Sequence, residues 1–451
     1  MSRDLTCGSP LKLIWSFTLP TLFGMLFQQL YNMVDSMIVG KLLGANALGA
    51  VGSTSSITFF VIGFCMGLCS GFAIPVAQRT GAGDGPNMRR FVANSGYLCA
   101  FFAVLLTLGT TLSCGWILRT MQTPAELMED AYHYIFILFL GIPVIILYNM
   151  LSGIIRSLGD SKTPVYSLAL SSLLNIVLDL IFILWFHIGV SGAAWATVIS
   201  QAVSGLACLV YMVRTFPELH LSREERRLDL RACKILCGMG LPMGLQYSIT
   251  AIGSIILQSA VNTLGSLSVA AVAASTKVFQ LLCCPFDALG ATMATYCGQN
   301  VGALKLSRLG KGVRSAVLIG FGYSAAAFVF IFFFSRSALM LFLDPAEPEL
   351  ADLLSLGSRH ITTLVLFFFL LTLINVVRFS IQGMGFSSLA MVSGVLEMIA
   401  RTVMGQWVVP VMGFTAACYS SPAAWGLADC FLIPACILCI RKLKKQYPSH
   451  T

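Results

Sequence analysis

The sequence predicts an all-α membrane protein with twelve transmembrane helices in two six-helix bundles related by a parallel pseudo-two-fold repeat. Three observations predict this fold: an apolar composition, twelve apolar stretches and an internal repeat. Of the 451 residues, 57% are hydrophobic and only 10% are charged. Soluble domains carry about 25% charged residues because their surface faces water. Most of the surface of this chain must therefore face lipid.

Twelve apolar stretches are each long enough to cross a hydrocarbon core of about 30 Å. The first stretch is too long for the apolar part of a signal peptide and contains Asp35, so we count it as span one. Gly, Pro and charged residues separate it from the stretches that follow. The predicted spans are 11–40, 47–77, 91–118, 131–155, 164–187, 190–214, 234–263, 268–297, 313–342, 353–382, 386–411 and 424–440.

The basic residues predict the orientation of the chain. The net charge is +9, and most of the 28 Lys and Arg residues fall in alternate loops and at the two termini. Loops rich in Lys and Arg stay in the cytoplasm. We therefore predict a multi-pass protein of the cell inner membrane with both termini in the cytoplasm. The basic charge then reflects topology, so we expect no nucleic-acid partner.

The chain repeats itself at two nearly equal offsets. At 221 and 226 residues, identical residue types recur at Gly44/Gly265, Gln78/Gln299, Gly81/Gly302, Asn149/Asn375 and Gly159/Gly385. Six spans are an even number, so both halves enter the membrane in the same orientation. Such parallel repeats are typical of transporters, whose substrate site lies between the halves. The predicted domains are residues 1–215 and 234–451, joined by a charged cytoplasmic linker at 216–233.

Charged residues inside spans are functional candidates, because a charge at the bilayer centre costs at least about 2.5 kcal/mol. The first half has an acidic pair: Asp35 on span one and Asp179 on span five, with Asn175 one helical turn from Asp179. No Lys or Arg lies in the apolar cores of these six spans. Two neighbouring buried carboxyl groups would hold a proton or a cation, which suits ion coupling. The alternative is that one of them faces water near an outer end.

The second half has charges of both signs. Glu397 and Arg401 are four residues apart on span eleven and could pair, while Lys277 lies on span eight and Arg378 on span ten. One interpretation is structural pairing inside the bundle. The other is that Glu397 or Lys277 faces a central cavity and contacts substrate.

Signals for an enzyme are missing from the sequence. The Gly-Lys pairs at Gly40 and Gly310 lack the following Ser or Thr of a P-loop, and no HExxH motif occurs. The 15 cysteines have no metal-ligand spacing. We therefore expect neither catalysis nor a cofactor. The overlapping GxxxG patterns at Gly63, Gly67 and Gly71 predict close helix packing.

Several motifs together carry a family resemblance along the whole chain. They are Pro20 fifteen residues before Asp35, Gln78-x-x-Gly81-Ala82, Gln299-Asn-x-Gly302-Ala303, Arg156-Ser-Leu-Gly159-Asp160 and Asn175-x-x-x-Asp179. The chain resembles the multidrug and toxic compound extrusion (MATE) family, and within it the bacterial drug-exporting branch that has an acidic site in the first half.

The resemblance implies a set of ion-coupling residues. It implies a proton or sodium site at Asp35, Asn175, Asp179 and Thr197, with Tyr31 and Asn149 in the same network. No other metal is implied. The family's other main bacterial branch uses acidic residues on spans seven and ten. Here those spans carry Gln246, Tyr247, Ser248, Asn375 and Arg378 instead, which argues against a cation site on those two helices.

These observations predict an antiporter that exports small organic, often cationic, compounds in exchange for H⁺ or Na⁺. It would act as a monomer in the lipid bilayer. The alternative is a lipid-linked oligosaccharide flippase of the same wider superfamily, for which Lys277, Arg378 and Arg401 would contact pyrophosphate. Pro20 removes a backbone hydrogen bond from span one and would act as a hinge there, or it would only shape a static kink.

Overall fold

The computed structural model describes residues 4–121, 123–343 and 349–448, and every regular element in these ranges is helical. The helices are α1 Pro10–Leu43, α2 Ala45–Gly81, α3 Gly85–Thr120, α4 Met128–Leu140, α5 Ile142–Ser157, α6 Lys162–Leu180, α7 Val190–Thr215, α8 Leu230–Asn262, α9 Ser266–Gly302, α10 Ser307–Leu339, α11 Leu350–Leu366, α12 Phe368–Gly383, α13 Ser387–Val403, α14 Val409–Met412 and α15 Phe414–Gln446. A π-helical turn follows α6 at Ile181–Trp185, and another follows α13 at Met404–Val408.

These helices form up to twelve membrane spans. Ten are long and apolar enough to cross a bilayer on their own, and two more arise if α4 with α5 and α11 with α12 are each one bent span. The bends are 45° and 48°. The predicted all-α fold is confirmed. The last span was predicted at 424–440, but α15 runs from Phe414 to Gln446 with Pro422 and Pro434 inside it.

The two halves share backbone irregularities as well as helices. Left-handed backbone occurs at equivalent places: φ is +91° at Gly44 and +93° at Gly265, +67° at Gly83 and +56° at Leu304, +92° at Gly159 and +99° at Gly385, and +66° at Gly189 and +61° at Gly413. These pairs and the two π-helical turns recur at offsets close to those of the sequence repeat. The turns that set the path of the chain are therefore duplicated together with the spans.

The chain packs into two compact units whose bounds differ from those of the sequence repeat. Among the described residues, the first unit contains residues 4 and 23–248, and the second contains residues 5–22, 249–343 and 349–448. The early part of α1 thus packs with the second unit, and the early part of α8 packs with the first. The repeat-based domains, 1–215 and 234–451, stay a prediction about the duplication.

Inside the first unit, α2 and α8 cross in direct backbone contact. A Cβ atom added at Gly71 would lie 2.4 Å from the Cα of Gly240, and one added at Gly67 would lie 2.6 Å from the carbonyl oxygen of Met243. No side chain fits at such distances. The GxxxG prediction of close helix packing is confirmed, and the crossing holds the start of α8 within the first unit.

Replacing Gly83 by Ala is expected to lower stability by about 1–2 kcal/mol, because left-handed backbone costs an L residue about that much. A Cβ at Gly83 meets no heavy atom within 4 Å, so the cost is conformational. Gly96 in α3 also has open space but is helical, and Gly96→Ala should stabilise by about 0.5–1 kcal/mol. Thermal unfolding of both purified variants checks this. Shifts of the same sign would contradict the argument.

Candidate functional site

Two acidic side chains meet inside the first unit. Asp35 on α1 and Asp179 on α6 lie within hydrogen-bonding reach of each other. Asp179 is fully buried, and Asp35 is half-buried. Asp35 Oδ1 and both carboxylate oxygens of Asp179 are buried without a hydrogen-bond donor. Two neighbouring carboxylates repel each other when both are ionised, so a proton or a cation at this pair would relieve the repulsion.

Asn175 and Thr197 extend this site with further oxygen atoms. The side-chain nitrogen of Asn175 on α6 donates to Thr197 Oγ1 on α7 at 3.4 Å, and Thr197 Oγ1 donates to the carbonyl of Ala193 at 3.1 Å. Asn175 Oδ1 is buried and receives no hydrogen bond. The amide is thus held by its nitrogen, which leaves its oxygen free to bind a proton donor or a cation.

Tyrosine and glutamine side chains line the same site. The Tyr31 hydroxyl lies within hydrogen-bonding reach of the side chains of Gln28 and Gln201. Gln201 lies on α7 one turn after Thr197, and its Oε1 is buried without a donor. Tyr134 on α4 is buried within electrostatic range of both acids. Gln201 and Tyr134 were missed by the sequence argument, although the four-residue spacing from Thr197 to Gln201 was readable.

The side chain of Asn149 bonds to the backbone of its own helix, α5. Its side-chain nitrogen donates to the carbonyl of Ile145 on α5 at 2.8 Å. Its role in the ion-site network stays a prediction.

Asp160 fixes the start of α6, the helix that carries Asn175 and Asp179 near its other end. Its carboxylate accepts hydrogen bonds from the backbone of Lys162 at 2.9 Å, the hydroxyl of Thr163 at 2.7 Å and the hydroxyl of Tyr211 on α7 at 2.9 Å. Burial raises the pKa of Asp160, but hydrogen bonds from Thr163, Tyr211 and Lys162 outweigh it and lower the pKa below the ordinary value. This stabilisation is complete above the ordinary pKa of about 3.9 and is lost as the pH falls through the lower folded value.

The electrostatics of the first-unit site favour a bound positive charge. None of the salt bridges found within residues 4–121, 123–343 and 349–448 involves Asp35 or Asp179. Five buried oxygens without donors belong to four side chains of this site: Asp35 Oδ1, Asp179 Oδ1 and Oδ2, Asn175 Oδ1 and Gln201 Oε1. Oxygen ligands of this kind suit a proton or a hard cation such as Na⁺. The described residues contain no group of three or more His, Cys, Asp or Glu side chains arranged for a metal ion.

The second unit gathers its charges differently. Arg378 on α12 forms a salt bridge with Glu397 on α13, and Arg401 Nη2 lies 3.5 Å from the other Glu397 oxygen. Arg378 Nε also donates to Ser393 at 3.0 Å. The structure therefore contains the i, i+4 pair and adds Arg378 as a second partner. Lys277 on α9 is exposed, and its contact with substrate stays a prediction.

Comparisons with known proteins agree with this architecture. The MatE family matches residues 20–181 and 242–407. The probable multidrug resistance protein YpnP of Bacillus subtilis (strain 168) is 29% identical over 81% of this chain and 80% of that protein. The crystal structure of MATE in complex with MaL6 matches with a TM-score of 0.90 and 25% identity, over 98% of this chain and 99% of that one. The crystal structure of MATE in the straight conformation matches with a TM-score of 0.88 and 26% identity, over 99% of this chain and 100% of that one.

Proposed function

This chain belongs to the MatE family, and from that premise we propose that it is an antiporter that moves small organic, often cationic, compounds out of the cell in exchange for H⁺ or Na⁺. The coupling ion binds at Asp35 and Asp179, with Asn175, Thr197 and Tyr31 around them and Asn149 in the wider network. Export of such compounds is consistent with the names of its relatives, which include multidrug resistance and multidrug export proteins.

One observation carries the proposal: the group of buried acceptor oxygens that receive no hydrogen bond. Without a bound ion, two carboxylates stand next to each other with no basic partner, and like charges in a low dielectric repel strongly. A proton or Na⁺ supplies the missing positive charge. Binding is therefore driven by the site's own electrostatics.

Ion binding changes how α1 and α6 interact, because Asp35 and Asp179 come from these two helices. When the site is loaded the two helices attract, and when it is empty they repel. Such a charge change at one site biases the equilibrium between outward-open and inward-open states. Pro20 lies inside α1 and would let its first part bend relative to the part that carries Asp35.

The proposal also includes the state, location and partners of the protein. The protein is a monomer of the cell inner membrane with both termini in the cytoplasm. Its partners are small organic substrates and the lipid bilayer, without nucleic acid. It has no enzymatic activity and needs no cofactor.

The flippase alternative receives less support from the charges. It would use Arg378 and Arg401 to contact pyrophosphate, but both side chains are buried and bound to Glu397. Among the three basic residues considered for that role, only Lys277 is exposed.

Efflux from proteoliposomes under an imposed gradient tests the proposal. Liposomes with purified protein and a fluorescent organic cation receive either a pH gradient or a Na⁺ gradient, with valinomycin and K⁺ clamping the membrane potential. We expect either the pH gradient or the Na⁺ gradient to drive the substrate against the substrate's own concentration gradient. Protein-free liposomes are the control. Substrate movement that neither gradient accelerates would overturn the antiport.

A further inference from the structure

The second unit also contains an acid without a hydrogen-bond donor. Asp429 on α15 is 3% exposed, and both of its carboxylate oxygens are buried without a hydrogen-bond donor. This buried carboxylate therefore lacks a hydrogen-bond donor on either oxygen. Burying an ionised carboxylate in this way is costly, so the group favours the neutral, protonated form.

The charges that face Asp429 come from two neighbouring helices. Arg378 on α12 and Glu397 on α13 lie within electrostatic range of it. On α11, Arg359 binds Thr415 at 2.8 Å, and His360 shares a 2.7 Å hydrogen bond with Ser275. These two α11 side chains are thus engaged with other groups.

Arg378 and Arg401, the two arginines near Asp429 and Glu397, already bind other groups. Arg378 bonds to Glu397 and Ser393, and Arg401 contacts Glu397 while pointing Nη1 at the carbonyl of Thr250 on α8 at 3.4 Å. Arg378 also interacts with Asp287 on α9. Both arginines are thus engaged with Glu397, and neither bonds to Asp429.

The internal repeat places this cluster where the first unit places its own site. Asn175 and Asp179 lie in the last two turns of α6, before the π-helical turn Ile181–Trp185. Glu397 and Arg401 lie in the last two turns of α13, before the equivalent turn Met404–Val408. Such π-helical turns occur often at functional sites.

We propose that Asp429 is a second proton-binding group, and that when its proton leaves for water Arg378 shifts from Glu397 towards the Asp429 carboxylate. The arginines stay charged throughout, and the only species exchanged is the proton. This proposal deepens the proposed antiport, because it gives the second unit an ion-linked rearrangement of its own. Glu397 would then keep only Arg401, which reaches α8.

Trp425 offers a local reporter for this proton. It lies one helical turn before Asp429, is 3% exposed and stacks on Phe279. The other five tryptophans are between 41% and 80% exposed, so replacing them with Phe should be tolerated. The single-tryptophan protein in lipid nanodiscs is titrated from about pH 5 to about pH 9, the range in which buried carboxyl groups are found to titrate.

We expect a step in Trp425 emission that Asp429→Asn removes and Asp429→Glu retains at a changed midpoint. The matched control Asp287→Asn, an exposed acid near the same arginine, should keep the step, as should Asp35→Asn. A pH jump should also release about one fewer proton per chain from Asp429→Asn than from the parent. A parent without a step, or an Asp429→Asn protein that keeps it, would overturn the proposal.

This titration does not depend on transport. If neither gradient drives efflux but the Trp425 step is present, the antiport proposal is wrong and the proton site at Asp429 stands. Efflux without such a step would sink only the role of Asp429. A melting curve confirms that each variant is folded before its titration is interpreted.

Discussion

Asp35→Asn is expected to reduce ion-driven efflux to the level of protein-free liposomes while leaving the folded protein near its normal amount in the membrane. The Asn side chain has nearly the same shape but cannot carry a negative charge. With one acid removed, the site loses both the repulsion and the proton exchange that couple it to a gradient. Asp179→Asn should behave in the same way, because the two acids form one site.

Folding should survive this change because no cation depends on Asp35. Its Oδ1 receives no hydrogen bond, and it forms no salt bridge within the described residues. Removing one of two facing carboxyl groups should therefore leave the unfolding temperature unchanged or raised. Glu224→Gln, an exposed position in the linker, removes the same charge and should transport normally. Gradient-driven efflux by Asp35→Asn at the wild-type rate would refute the assignment.

Glu397→Gln is expected to cause the largest loss of stability, about 3–5 kcal/mol, because it removes the carboxylate that both buried arginines contact. The side chains of Arg378 and Arg401 are each 9% exposed, and that of Glu397 is 4% exposed. Desolvated guanidinium groups cannot recover the lost interaction from water. Thermal unfolding of the purified variant in detergent measures the effect.

A double-mutant cycle separates the pair from its surroundings. Arg378→Met together with Glu397→Gln removes both the charge and its partner, so the double variant should be clearly more stable than the sum of the two single losses predicts. Arg401→Ala with Glu397→Gln should show a smaller coupling, because that contact is longer. Strictly additive losses in both cycles would mean that the cluster is not formed in the folded protein.

Hydropathy and charge were sufficient to predict most spans, because each crosses the bilayer as one helix with polar ends. The largest departure was at α15, which begins at Phe414, ten residues before the predicted start at 424, and continues through Pro422. The convergence of Asp35 and Asp179 was predictable because both are charges in otherwise apolar helices. Tyr134 was not, since an aromatic residue in a span carries no such signal. Arg378 was also missed as the partner of Glu397, because the helical period relates only residues on one helix.

The matching left-handed turns have a consequence for how this chain has diverged. Gly83 and Leu304 share a left-handed φ, although glycine adopts it with the least strain, so the two halves make the same turn with different residues. The charges also differ between the halves. The first half has the acidic pair Asp35 and Asp179, and the second half has Arg378 and Arg401 bound to Glu397. Two fused copies need not carry the same substitution, whereas two separate identical subunits must. A single chain with two repeats can therefore hold an acidic pair in one half and arginines bound to an acid in the other.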